Sequence, residues 1–192
     1  DGAALDSTSS ASRQAAVDHC QAALDQAADL GIPTSYVVPG EDPAGLPYFG
    51  ETMMQVADYA AKRTIRVGVE HFPGKALPTA IGTLDYLADL SHDNLYLLLD
   101  SGHLQMSKED PATIIATAGD RLAYVHLDDN DGEADLHWAL LDGVLTEKAL
   151  DSLFSALAPS PYAGPVSLEL NPNLTDPLAA LVKSRTITLN IL

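Results

Sequence analysis

The chain has 192 residues, 46% of them hydrophobic, enough for one domain with a substantial core. Its 27 acidic residues outnumber 10 basic ones, giving a net charge of −17 with no Lys/Arg cluster, which argues against a nucleic-acid partner. No apolar run reaches membrane length and no basic-plus-apolar leader opens the chain, so no membrane partner is expected and the protein reads as soluble and cytoplasmic.

Strand-like and helix-like segments alternate along the chain. Residues 12–30 (SRQAAVDHCQAALDQAADL) place Ala16, Val17, Cys20, Ala23, Leu24, Ala27 and Leu30 on one helical stripe, ended by Gly31. The single cysteine, Cys20, can form no internal disulfide and reads as a buried small apolar residue, which fits a reducing compartment. TSYVVPG is a short β-rich run stopped by Pro39-Gly40. Residues 51–63 read as a helix, IRVGVEHFP as a strand, Pro78 to Leu90 as a helix and LYLLLD as a strand. Asp110-Pro111 opens the next helix with a cap residue and a proline. LAYVHLDD is a strand, Thr146–Leu157 a helix with Leu150, Leu153, Phe154 and Leu157 on one face, and PVSLELNP the last clear strand. Asp176-Pro177 opens a final helix containing Leu178, Leu181 and Val182.

Each of the five strands is followed by a helix, and the strands are near-continuously apolar, as parallel strands covered on both faces should be. The expected class is therefore α/β with a parallel sheet. Neither G-x-G-x-x-G nor G-x-x-x-x-G-K-[ST] occurs, as an open nucleotide-binding sheet would advertise. Polar residues instead collect at the C-terminal ends of several strands, the habit of a barrel.

Four of those strand ends carry a metal-capable side chain: Glu70 in VGVEHFP, Asp100 in LLLDSGH, His126 in YVHLDD and Glu169 in SLELNP. Each lies in or just past an apolar run, where an ionisable group is costly unless paired or bound to a metal. On parallel neighbouring strands they would converge on one mouth. Carboxylates plus one imidazole suit a single divalent cation, Mn²⁺, Mg²⁺ or Co²⁺, and admit Zn²⁺. His103 follows Asp100 by one turn, placed to touch a substrate oxygen. Asp128, two residues past His126, faces the same way on an extended strand. Asp135 and His137 lie on the following loop, in GEADLHW, and Asp128 and His137 join His103 as substrate-binding candidates. His71, beside Glu70, points the other way and is expected to be structural. The run Asp128-Asp129-Asn130-Asp131 reads as half functional and half solvated loop, and Trp138 either walls the pocket or packs under a loop.

With V-E at 69–70, D-S-G-H at 100–103, H-L-D at 126–128 and L-E-L-N-P at 168–172, the chain resembles the xylose isomerase-like TIM-barrel sugar phosphate isomerases and epimerases. That group includes ketose 3-epimerases, hydroxypyruvate isomerase and inosose dehydratases, with endonuclease IV more distant. The resemblance covers about residues 12 to 185. It implies that Glu70, Asp100, His126 and Glu169 bind one divalent cation, that Glu70 and Glu169 flank the substrate and exchange protons with it, and that His103 contacts the substrate. It also implies a (β/α)8 barrel. Residues 1–192 are then expected to be one barrel domain holding strands four to eight, with LDSTSS trailing a missing third strand. A chain that starts at Asp1 fits that expectation, and the two open sheet edges call for upstream sequence or a second copy. The epimerases' substrate-binding Arg past the metal His has no counterpart in DDNDGEADLH.

The expected chemistry is metal-assisted proton abstraction next to the carbonyl of a small sugar or sugar-like substrate, with isomerisation or epimerisation as the outcome. Two rivals remain. One is a metal-dependent lyase or hydrolase on the same scaffold, inosose dehydratase-like or endonuclease IV-like, and the other is an inactive fragment that keeps the scaffold without a working pocket.

Overall fold

The structure is a computed structural model that describes residues 3–191. The chain divides into two compact units, with the boundary between Leu98 and Leu99 inside the third strand.

In the first unit, helix α1 (Ser10–Asp29) precedes strand β1 (Thr34–Val37), helix α2 (Leu46–Ala61), strand β2 (Arg66–Glu70), helix α3 (Ala80–Leu90) and most of β3 (Leu95–Asp100). Local chemistry sets these limits. Ser9 caps α1 by accepting from the Ser12 backbone N–H, and Gly31, at φ 69°, takes the left-handed conformation that lets the chain leave the helix. Asp42 caps a 3-10 turn at Pro43–Gly45 that feeds α2, and Thr79 caps α3. The second helix thus starts earlier than the apolar pattern suggested, because Pro47 is well placed in a first turn.

Strands β1, β2 and β3 are hydrogen-bonded in chain order and parallel, with Val37 opposite Val69 and Glu70 opposite Leu98. Their apolar side chains meet those of the helices in one core. Val17 and Leu24 come from α1, Phe49, Met53 and Val56 from α2, Val67 and Val69 from β2, and Leu87 from α3. A fully buried side chain of this size contributes roughly 1.5–3 kcal/mol. Cys20 only packs against this core from its edge and stays half-buried, since it lies toward the flank of the α1 stripe.

The second unit takes up the end of β3 and adds α4 (Ser101–Ser107), α5 (Pro111–Ala118), β4 (Leu122–Leu127), α6 (Glu147–Leu157), β5 (Val166–Leu168) and α7 (Pro177–Ile191). Hydrogen bonding continues in chain order from β3 through β4 to β5. β4 and β5 are parallel, with His126 opposite Ser167 and Leu127 opposite Leu168. Asp110, Thr146 and Asp176 cap the N-termini of α5, α6 and α7 through backbone N–H groups three residues on.

The long segment between β4 and α6 is pinned rather than loose. Asp129 and Trp138 exchange backbone hydrogen bonds at 3.2 and 2.7 Å, and Leu140 N–H donates to the buried Ser184 of α7 at 3.0 Å. This overturns the solvated reading of the acidic run. Asp128, Asp129 and Asn130 are fully buried, and only Asp131 is exposed. The Asp129 carboxylate is buried because it accepts from the backbone of Asn130, Gly143 and Leu145 at 2.7–2.9 Å. Leu178, Leu181 and Val182 of α7 lie on an exposed face. Among the described residues no helix is long and apolar enough to cross a membrane.

Candidate metal and substrate site

The leucines that lead into Asp100 are fully buried, so β3 carries this carboxylate into the interior, where it has no exposed surface. No turn separates β3 from α4. Asp100 itself is the helix cap, its Oδ1 accepting from the His103 N–H at 2.8 Å. That leaves Oδ2 to face the His126 ring, 3.8 Å from Nδ1. The last residues of β4 are equally buried and bring in His126, whose Nδ1 pairs closely with Glu169 Oε2. Glu169 follows β5 directly and is anchored by its own N–H donating to the Leu127 carbonyl at 3.1 Å.

Ligand atoms of Asp100, His126 and Glu169 lie within 4.8 Å of one another, a spacing one cation can bridge. Two carboxylates and one imidazole nitrogen form an oxygen-rich donor set of the kind that divalent cations take, so the residues fit such an ion. Their exposure differs in a useful way. The Asp100 side chain is 0% exposed and that of Glu169 is 36%, so Glu169 is the group open to an incoming molecule. A hydrogen bond from His126 holds the Glu169 carboxyl below its usual range despite burial, with the charges of His126, His137 and His103 adding to the effect. Glu70 ends β2 in the first unit and is 5% exposed, its register partner Leu98 lying two residues before Asp100. His71 beside it is fully buried, as a structural residue should be.

The second polar cluster brings Asp128, Asp135 and His137 together. His137 turns its two ring nitrogens onto carboxylates, Nδ1 at 3.2 Å from Asp128 Oδ2 and Nε2 at 3.0 Å from Asp135 Oδ2. Those two acids push its imidazolium up to about 11, against the opposing effect of burial. Asp128 is likewise spoken for. Its Oδ1 accepts from Gly102 N–H at 2.8 Å, and its backbone exchanges hydrogen bonds with the Ser101 hydroxyl at 2.9 and 3.0 Å. Asp128 and His137, expected on substrate, thus face each other, with Asp128 also tied to the α4 turn. Burial drives the Asp135 carboxyl upward, but hydrogen bonds and charge from His103 and His137 outweigh it and hold the group well below its normal range. His103 is buried beside Asp100 and Asp135, its Nδ1 3.8 Å from Asp100 Oδ1 and its Nε2 3.5 Å from Asp135 Oδ1.

Gly102 explains how the two turns approach so closely. A Cβ there would lie 2.5 Å from Asp128 Oδ2 and 2.8 Å from Asn130 Nδ2, and Asn130 Nδ2 donates to the Gly102 carbonyl at 3.0 Å. Ser101 and Gly102 were not given roles of their own, although a glycine between an aspartate and a histidine is a signal of close backbone approach. Trp138 lies along a separate groove with Leu174 and Ala179, not against this cluster. A further cavity of about 520 Å³ is lined mainly by apolar residues, among them Leu127, Phe154, Leu157, Val166 and Leu168, with Tyr162, Arg185 and Thr188.

The chain has recognisable relatives. It is 31% identical to L-ribulose 3-epimerase of Methylomonas sp. (strain DH-1) over 129 residues, covering 65% of this chain and 42% of that protein. It is 28% identical to inosose dehydratase of Clostridium botulinum (strain Eklund 17B / Type B) over 148 residues, covering 68% of this chain and 49% of that protein. The chain thus spans less than half the length of these curated relatives. In three dimensions it superposes on a D-tagatose 3-epimerase-like protein with a TM-score of 0.82 at 23% identity, over 98% of this chain and 72% of the other. It superposes on an L-ribulose 3-epimerase with a TM-score of 0.81 at 19% identity, covering 98% and 72% of the two chains. These similarities carry the fold, a partial (β/α)8 barrel of five βα units. The xylose isomerase-like TIM barrel profile matches residues 2–185, and the chain belongs to that family.

Proposed function

We propose that the protein is a divalent-metal-dependent isomerase or epimerase of a small sugar or sugar-like ketose, acting by proton abstraction next to a carbonyl. The observation that carries this reading is the convergence of Asp100, His126 and Glu169 within 4.8 Å, with Glu169 alone substantially exposed. Asp100, His126 and Glu169 would hold the cation. Glu70 would join them on the strength of its strand-end position and the family pattern. When bound, Mn²⁺, Mg²⁺ or Co²⁺ would supply Lewis-acid polarisation of the substrate carbonyl and its neighbouring hydroxyl.

The chain's own residues do the rest. Glu169, more exposed than Asp100 or His126, is suited to take a proton from the carbon next to the carbonyl. Glu70, on the other side of the substrate, would return one, and delivery to the opposite face of the same carbon inverts it. His103 would orient a substrate oxygen. The relatives' names include epimerases of L-ribulose and of ketoses, which supports a ketose as the substrate class.

A dehydratase reading has its own support. Inosose dehydratases match a slightly larger share of the chain, and the stretch after His126 lacks a basic residue. Product mass separates the two, since epimerisation conserves it and dehydration removes one water. The direct test is Glu169→Gln. Proton exchange between solvent and ketose should fall by about 10²- to 10⁴-fold. Retention of both metal binding and turnover would overturn the assignment.

A further inference from the structure

The second polar cluster has more order than a sugar site requires. Within the second unit, acids and imidazoles alternate in an unbroken series: Asp128, His137, Asp135, His103, Asp100, His126, Glu169. Adjacent members lie 3.2, 3.0, 3.5 and 3.8 Å apart down to Asp100, and 3.8 Å separates Asp100 from His126. One half of the series is the proposed cation site. The other half ends on Asp128, which has no exposed surface and is fastened to the α4 turn by Gly102 N–H.

His137 is held against its own backbone preference. It sits at φ 48°, a left-handed conformation that is unfavourable for a non-glycine residue. Its carbonyl accepts from the Asn171 N–H at 2.9 Å, tying the loop to the segment just past Glu169. Strained residues persist where surrounding contacts over-determine them, and here the contacts are two carboxylates and one backbone bond.

We infer that Asp135 and His137 are positioning residues for His103: His137, gripped by Asp128, fixes the Asp135 carboxylate, and Asp135 fixes the edge of the His103 ring. A carboxylate 3.5 Å from Nε2 favours the ring form with its proton there and biases the ring plane, as an outer carboxylate does for a functional imidazole. The two residues would thereby set how His103 meets a ketose oxygen without touching the sugar. The inference rests on the proposed sugar site for its catalytic consequence, but its structural half stands independently.

The test uses Asp135→Ala, His137→Ala and the conservative Asp135→Asn, with three readouts. These are Mn²⁺ affinity by titration calorimetry, solvent deuterium exchange into D-allulose and D-fructose by the Mn²⁺-loaded protein, and the ¹⁵N ring signals of His103 in the metal-free protein. The alanine variants should lose about 10- to 100-fold in kcat with Mn²⁺ affinity held within about twofold, and the His103 ring signals should shift. Asp135→Asn, which keeps one acceptor oxygen, should recover much of the loss. Mn²⁺ affinity falling in step with activity would make the pair ligands and overturn the inference. Unchanged ring signals would overturn it as well. If the unaltered protein exchanges no deuterium with either ketose, the sugar reading fails for these substrates, and the His103 signals alone decide the positioning role.

Discussion

The two units use their interiors differently. Up to Leu98 the interior is mainly apolar, with Phe49, Met53, Val67, Val69 and Leu95 all at most 1% exposed and Glu70 and His71 as its buried ionisable groups. From Leu99 onward, carboxylates and imidazoles occupy comparable positions: Asp100, His103, His126, Asp128 and Asp129 are at most 4% exposed. Burying apolar groups stabilises the first unit directly. Burying ionised groups costs free energy unless each finds an opposite charge or several hydrogen bonds. The second unit meets that cost locally, with imidazoles against acids and backbone N–H groups against Asp129. The lesson is that the second unit buries more ionisable groups among its apolar side chains and offsets their cost with paired charges and backbone hydrogen bonds.

The comparison can be broken most forcefully from the apolar side. Phe49, stacked on Tyr86 at 6.3 Å, should lose about 3–5 kcal/mol on substitution by alanine, measured by urea denaturation. Mn²⁺ affinity per folded molecule should stay within about twofold, and a large drop would show that the apolar core also shapes the site. Next comes Asp129→Ala, which strands three backbone N–H groups, two of them buried, and should cost on the order of 3 kcal/mol. A cost near zero would mean the acidic interior is less committed than its hydrogen bonds indicate. Adding Mn²⁺ at a hundred times its dissociation constant should stabilise the protein by about 2.7 kcal/mol, read as a shift in melting temperature.

The smallest effect is the pH response of the Asp135–His137 pair in metal-free protein. His137 is raised from 6.5 to about 11, so its contribution is complete below about pH 6.5 and is lost as pH rises through about 11. Asp135 is depressed, so its contribution is complete above the ordinary 3.8 and is lost on acidification. Stability from this pair should therefore peak between those limits. His137→Gln should flatten the alkaline decline, and an unchanged slope would show that another group sets it.

Much of this was legible in the residues, and the remainder has physical reasons for being hidden. Periodicity and caps located the five strands and most helices, since Asp110, Thr146 and Asp176 cap in ways that depend only on local sequence. The strand-end residues Asp100, His126 and Glu169 stood out because ionisable groups interrupt apolar runs there. Helix α4 was missed because it starts on the residue after β3, with Asp100 serving as strand end and cap at once. The mutual grip of Asp128 and His137 was also missed. It depends on a left-handed backbone at His137, which no pattern of residue types announces.

Gly102 has a practical corollary for anyone recombining this protein with its relatives. Because a methyl group there would collide with Asp128 and Asn130, the turn after β3 and the loop after β4 form a single matched cassette. A chimera that imports a new β4 loop has to bring its own partner for position 102. Swapped separately, either segment would leave the other without its mate.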